Sequence, residues 1–434
     1  MLRSLIDLIK LKLLTSRWLT VFSWFGRQET QFQINPTVYF NLVGTLTDKN
    51  GFSAERGLHL EKGKTDLMYK IFWDLILTIN QCKGDTNKEQ ALLKNLPAEV
   101  MHMLKDLDLI VSKDKAPQAV QFAHTINSEQ QNAAAPKTEL TLNPKIYMQT
   151  EQAIPLAVVD HFAEKFKGPK HILENAVGTD RDLVWVIDPA SEFLAPMYFD
   201  PIQLQKLKAV ISGSAIDECF SESEIAQLLD HKVLINQSEV KEAQEAFKLR
   251  LEQSKQQLTN EYYTVFKSPF APLQAQTHSK YFKTVADSGV MKPNCLLVPN
   301  RKFIHNQEYC HFMHFQLNAV LAQITQEPTK PSFSYLAYYM PGSILKKHID
   351  RDQCKWNVSM PLYVNEKFDK AWPIYLQRDA NDESSTVEVA LDVGDMVIYR
   401  GSKMYHWREM LEEGKYSSMC FFHFVDESFT GKLD

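Results

Sequence analysis

Three residues carry the chemistry that this sequence suggests first: His348, Asp350 and His406. His348-Ile349-Asp350 is an H-x-D in a stretch that reads as a strand, where every second side chain points to the same face. His406 follows after 55 intervening residues. Two imidazoles and one carboxylate on one side of a metal leave three coordination positions open, the arrangement of a non-haem Fe(II) centre. An H-x-D alone is a common match. Here Tyr339-Met340-Pro341-Gly342 leads into it, and Gly394-Asp395-Met396-Val397-Ile398-Tyr399-Arg400-Gly401 leads into His406. Lys415 stands nine residues after that histidine.

The elements that must position these residues are short strands. From residue 328 onwards β-rich runs alternate with turns, at 333–340, 356–363, 373–376, 386–391, 396–400 and 416–425, as in a sandwich or barrel. A helical pattern at 308–324 precedes them, with Phe312, Phe315, Ala319 and Ile324 on its apolar side. His311 and His314 lie on that helix among aromatic neighbours and read as packing residues rather than ligands.

With these motifs in order, residues 301–426 resemble the 2-oxoglutarate- and Fe(II)-dependent oxygenases of the prolyl-hydroxylase-like branch. The resemblance implies a double-stranded β-helix, or jelly roll, in which His348, Asp350 and His406 hold Fe(II). It also implies that Lys415 binds the far carboxylate of 2-oxoglutarate, that Tyr363 shares that carboxylate, and that Tyr339 lines the cofactor pocket. Arg408, two residues after His406, is the rival of Lys415; its closeness to the metal favours Lys415. The cofactors implied are Fe(II), 2-oxoglutarate and O2, with ascorbate as reductant. The activity implied is hydroxylation of an unactivated C–H, with succinate and CO2 released. Halogenases of this type lack the carboxylate ligand, and Asp350 is present. Arg351, Trp356 and Lys347 flank the ligands and are the candidates for substrate contact.

The front half reads as a repeat. Ile34-Asn35-Pro36-Thr37-Val38-Tyr39-Phe40 resembles Leu142-Asn143-Pro144-Lys145-Ile146-Tyr147-Met148 at an offset of 108 residues. Each copy opens as a short strand, continues into helices and ends in a β-branched run. Ser221 with Glu224 forms a capping box near the end of the second copy. By pattern, each copy resembles the PqqD-like winged-helix modules that recognise precursor peptides, with a generic α+β scaffold as the alternative. The fold class expected is therefore α+β: a C-terminal jelly roll preceded by a duplicated small α/β winged-helix-like region. The divisions are an amphipathic helix at 1–30, repeat one at 31–116, a polar linker at 117–138, repeat two at 139–240, a connecting helix at 241–266 and the oxygenase domain at 267–434. The N-terminal helix reads as packed on the protein, with contact to a membrane or partner as the alternative.

Composition removes other classes. The 434 residues include only 15 glycines, and no two are two or four apart. Neither a dinucleotide-binding G-x-G turn nor a G-x-S-x-G elbow can form. Gly57, Gly63, Lys64 and Thr65 echo a phosphate loop, but the required first glycine falls on Leu58. The net charge of −5 lies wholly in residues 1–264, and 265–434 is neutral, so no nucleic-acid partner is expected. Six cysteines without C-x-x-C spacing suit a cytoplasmic protein with reduced thiols. No apolar run reaches transmembrane length. The reading is a 2-oxoglutarate- and Fe(II)-dependent dioxygenase acting on a peptide or protein side chain. A small-molecule or lipid substrate, or a non-catalytic peptide-binding scaffold, is the alternative.

Overall fold

The computed structural model describes residues 32–34, 51–53, 59–61, 86–96, 100–101, 110–112, 122–126, 140–149, 153–177, 182–270, 272–291, 298–365 and 371–433. The expected N-terminal helix, the phosphate-loop echo and most of the linker lie outside the described residues. The chain divides into two compact units, Met1–Ala119 and Val120–Asp434.

The first unit contains β1 (Phe32–Ile34), β2 (Gly51–Ser53), β3 (His59–Glu61), α1 (Thr86–Asn95) and β4 (Ile110–Ser112). β1 pairs antiparallel with β4, placing Ile34 opposite Ile110, and β2 pairs with β3.

The second unit opens with β5 (His124–Thr125), β6 (Leu140–Leu142), β7 (Ile146–Gln149), α2 (Leu156–Phe166), α3 (Lys170–Val177), β8 (Leu183–Ile187), β9 (Leu194–Tyr198), α4 (Pro201–Ile211), α5 (Ile216–Cys219), α6 (Glu222–Asp230) and β10 (Leu234–Asn236). A four-stranded sheet runs β5-β9-β8-β7, parallel only where β5 meets β9. β8 is buried along its whole length because both of its faces are covered. Leu183, Trp185 and Ile187 join one core cluster with the apolar faces of α2 and α3, while Val184 and Val186 join another with Leu207 and Leu228. Asp200 caps α4 through the amides of Ile202 and Gln203, with Pro201 at the first helical position. Ser221 and Glu224 form the capping box of α6. β6 pairs with β10, and Leu142 faces Leu234 as Ile34 faces Ile110. The strand before Asn-Pro thus pairs with the terminal β-branched run at both of the equivalent places.

The helix expected through residue 266 stops earlier. α7 (Gln237–Glu261) ends where Tyr262 turns left-handed at φ 66°, and β11 (Tyr263–Phe266) leaves as a strand. Tyr263, Thr264, Val265 and Phe266 are aromatic or β-branched, and they pair along Met396–Tyr399 of the sheet described next. That edge of the sheet supplied the competing partner.

The remainder is α8 (Pro272–Asp287), β12 (Arg301–His305), α9 (Glu308–Thr325), β13 (Thr329–Tyr339), β14 (Leu345–His348), β15 (Trp356–Val364), β16 (Ile374–Gln377), β17 (Thr386–Val389), β18 (Met396–Tyr399), β19 (Tyr405–Arg408) and β20 (Ser417–Asp426). One sheet has the order β11-β18-β15-β20-β13-β12 and the other β14-β19-β16-β17, with every pairing antiparallel. From β13 to β20 the chain crosses between the two sheets in the winding of an eight-stranded jelly roll. α9 is buried on two sides: Phe312 packs near Phe162 and Trp185 at ring distances of 5.6 and 6.1 Å, and the helix shares its core with Val358, Met360 and Phe422. Among the described residues no helix is long and apolar enough to cross a membrane.

His124, His231 and His278 meet inside this unit, with ring centroids 5.0 Å apart for the first pair and 5.3 Å for His124 and His278. Burial holds all three neutral, pushing His231 down to about 4, His278 down to about 3 and His124 well below its ordinary value. An unfolded chain protonates the same residues near pH 6.5, so below that pH the unfolded state binds more protons. The stability these neutral rings confer is complete above about pH 6.5 and is lost as pH falls toward 3–4, at about 1.4 kcal/mol per pH unit for each ring. Urea midpoints should therefore drop steeply from pH 7 to 5, and His278→Gln should flatten that slope by about one proton; an unchanged slope would count against it.

Candidate metal centre

β14 ends at His348, so the H-x-D is not a continuous strand. Asp350 lies two residues beyond, and its amide donates to the Gly401 carbonyl at 2.9 Å. β19 sits beside β14 with His406 directly opposite His348. These two anchors bring the three predicted ligands together: one ligand atom from each of His348, Asp350 and His406 lies within 4.8 Å of the others.

The orientation of the rings is that of metal ligands. His348 Nδ1 bonds the Lys346 carbonyl at 2.7 Å, and His406 Nδ1 bonds the Met404 carbonyl at 3.0 Å. A carbonyl only accepts, so each ring carries a proton on Nδ1 and turns Nε2 to the centre, where it would meet a metal as a lone pair and, without one, can donate to Asp350. Both Nε2 atoms face Asp350, each 3.4 Å from a carboxylate oxygen. In the metal-free protein, burial pushes the Asp350 carboxyl up, but the hydrogen bonds of His348 and His406 outweigh it and hold the group well below the carboxylate range. Burial likewise lowers His348, and Asp350 with the Lys346 carbonyl raises it overall.

Strand alternation decides which other predicted residues reach this centre. Asn357 of β15 points inward and donates to Asp350 Oδ2 and, at 3.3 Å, to the Tyr399 hydroxyl. Trp356, its neighbour, therefore points outward, where its indole donates to Glu327 at 2.9 Å and Arg400 lies 4.9 Å above the ring. Lys347 points away from its neighbour His348, onto the rings of Tyr405 and Trp407 at 5.5 and 5.0 Å. Neither is placed for substrate contact at the metal. Arg351 remains beside Asp350, with its guanidinium 4.9 Å from the centre of the Phe333 ring.

Tyr363 is also displaced. A register shift between Pro361 and Tyr363 sets Tyr363 opposite Ser418, whereas Pro361 faces Met419. The bulge moves Tyr363 to the outer face, where its phenol acts on Tyr338 and Lys283. Tyr339 is fully buried inside the barrel, 5.0 Å from the Trp372 ring, and accepts from Arg301 at 3.3 Å.

The two rival cations differ sharply. Lys415 precedes β20 and pairs with Glu412 at 3.1 Å. Arg408 is 1 % exposed, on the same face of β19 as His406. Its Nη1 donates to the Trp372 carbonyl, while Nε and Nη2 have no hydrogen-bond partner among the described residues. Burial pushes its pKa down to about 10, partly offset by the phenols of Tyr339 and Tyr399, so it remains cationic at neutral pH. A buried guanidinium with open donors calls for an anion.

Asn357 and His423 are not marked by their types or spacing, and Tyr399 and Gly401 stand in the stretch that leads into His406 without an assigned role. Gly401 has a steric reason to be glycine: a Cβ there would stand 2.5 Å from Asn357 Nδ2 and 2.7 Å from the Cys354 carbonyl. Gly401→Ala should cost about 1–3 kcal/mol and loosen Asp350, read as a lower denaturant midpoint with weaker metal uptake.

No family model matches the chain, and no curated protein does. Similar solved structures are non-haem Fe(II)/2-oxoglutarate oxygenases. The α-ketoglutarate-dependent epimerase SnoN of nogalamycin biosynthesis is 8% identical, with a TM-score of 0.35 over 41% of this chain and 82% of its own. HygX from Streptomyces hygroscopicus, with nickel and 2-oxoglutarate bound, is 13% identical, with a TM-score of 0.34 over 41% and 88%. A prolyl hydroxylase from Trichoplax adhaerens, in complex with a hypoxia-inducible-factor peptide, is 13% identical, with a TM-score of 0.33 over 41% and 92%.

Proposed function

We propose that this protein is a 2-oxoglutarate- and Fe(II)-dependent hydroxylase. The observation that carries the reading is the preset triad: both imidazoles are fixed by backbone carbonyls so that each Nε2 converges on Asp350. Two histidines and a carboxylate with open positions suit Fe(II), and a neutral imidazole with its other nitrogen bonded to a carbonyl is the usual ligating form. His348, Asp350 and His406 would hold the metal. Arg408, rather than Lys415, would hold the far carboxylate of the keto acid through Nε and Nη2, with Tyr339 lining that pocket. When bound, Fe(II) would activate O2, the oxidant, with 2-oxoglutarate as the two-electron co-substrate: one oxygen atom would end in succinate, released with CO2, and the other in the hydroxylated C–H. This chain contributes orientation, a buried cation against the cofactor's negative charge, and an apolar surround from Leu345, Trp372 and Met419 that excludes water.

We propose Arg351 as a substrate contact and a peptide or protein side chain as the substrate class, the latter on the sequence pattern of the front half alone. Ascorbate would serve as reductant. Purified protein given Fe(II), 2-oxoglutarate and ascorbate should release succinate slowly without substrate. Absence of both succinate and Fe(II) binding would refute the reading. A mass-spectrometric search of extract incubated with the protein should then find a peptide heavier by one oxygen atom; an oxygenated small molecule instead would move the substrate class.

A further inference from the structure

Asp350 is unlike the two histidines in lying beyond the end of its strand, and the bond from its amide to the Gly401 carbonyl fixes its backbone but not its side chain. Its carboxylate is steadied instead from the opposite sheet. Asn357 Nδ2 donates to Asp350 Oδ2, and Asn357 Oδ1 meets His423 Nδ1. Only one orientation of the amide works, because a carboxylate oxygen cannot receive anything from the carbonyl end. His423 must then carry its proton on Nδ1 and donate. The backbone at His423 is itself held, since His314 Nε2 of α9 donates to its carbonyl at 2.8 Å. Asn357 is 1% exposed and His423 8%, so water does not compete for these bonds. β15 and β20 set the two residues directly opposite each other in register.

We propose that His423 and Asn357 form a positioning pair: His423 fixes the Asn357 amide, and that amide aims the Asp350 carboxylate at the metal. The inference rests on the metal-centre reading above. His423 has its hydrogen-bonded route to Asp350 through Asn357, beside a direct electrostatic one, and the amide route separates the pair from two independent packing residues. Partners that orient a ligand typically change metal affinity by about 10–100-fold when removed.

The test uses the full-length protein with Mn(II) as the metal probe, its uptake followed by loss of the free-ion resonance signal. Asn357→Ala should weaken Mn(II) binding by about 10–100-fold. His423→Ala should weaken it by a smaller factor, and His423→Asn, whose amide N–H stands where Nδ1–H stood, should recover much of that loss. The double alanine variant should lose much less than the product of the two single losses, since the hydrogen-bonded route from the histidine to the ligand runs through the amide. Thermal unfolding of each variant separates general damage from this coupling: packing losses add, whereas the metal effect should not. If Asn357→Ala does not fold, the contrast between His423→Ala and His423→Asn decides the matter. Equal Mn(II) affinity in wild type and the single variants overturns the pair alone, as do losses that multiply in the double variant. Wild-type protein that takes up no Mn(II), in the face of an intact fold, overturns the pair and the metal-centre reading together.

Discussion

His406→Ala protein should bind Fe(II) more than about a hundredfold more weakly than wild type, since even the loss of an outer partner of a ligand costs 10–100-fold. His406 is 3% exposed, its ring lies 4.2 Å from that of His348, and its Nε2 faces Asp350 at 3.4 Å. Removing it leaves two ligands and an enlarged pocket, so succinate release should fall with metal uptake rather than separately from it. Heat provides an independent readout. A ligand at a hundred times its dissociation constant stabilises the folded state by about 2.7 kcal/mol. Fe(II) should raise the unfolding temperature of wild type and leave that of the variant unchanged. A variant that still binds Fe(II) tightly would show that the ion sits elsewhere.

The second large effect concerns Arg408. Two charge-assisted hydrogen bonds, at roughly 1.5 kcal/mol each, amount to about a hundredfold in affinity. Arg408→Met should therefore raise the 2-oxoglutarate requirement about a hundredfold while leaving Fe(II) binding largely intact. The same change removes a buried charge with open donors from the barrel interior, and replacing such a group by an apolar one is often neutral or stabilising by about 1–4 kcal/mol. The cofactor-free variant should thus be no less stable than wild type. Lys415→Met should change the 2-oxoglutarate requirement little, because Lys415 already pairs with Glu412. The opposite ranking of the two variants would return the anchoring role to Lys415.

The triad was legible because its residue types are rare in combination and a jelly roll places them predictably. Six of the eight strands from 329 to 426 were also legible, as β-rich runs between turns; β19, which carries His406, was not among those runs, and β14 stops at His348, short of the Asp350 that the H-x-D pattern put on a strand. What escaped depended on detail that alternation alone does not encode. A bulge after Pro361 moved Tyr363 to the outer face, and no local residue pattern marks that bulge. Trp356 and Lys347 lie next to inward-facing residues and so point outward; their nearness in sequence to the ligands misled. Arg408 ranks below Lys415 by its closeness to the metal, yet its burial with open donors emerges only once Trp372, Tyr339 and Tyr399 surround it. Asn357 and His423 are 66 residues apart, and only the pairing of β15 with β20 brings them together. Leu142 opposite Leu234 pairs the apolar runs on either side of 143–233, while the four-stranded sheet β5-β9-β8-β7 has no counterpart in the sequence pattern.

The most direct measurement is an anaerobic titration of the full-length protein, first with Fe(II) and then with 2-oxoglutarate, followed by admission of O2. The expected result is one Fe(II) per chain, a visible charge-transfer band when the keto acid chelates the bound metal, and succinate formed once O2 enters, with His406→Ala failing at the first step and Arg408→Met at the second. Wild-type protein that takes up no Fe(II), or that takes it up equally well without His406, would contradict the assignment of His348, Asp350 and His406 as a metal centre.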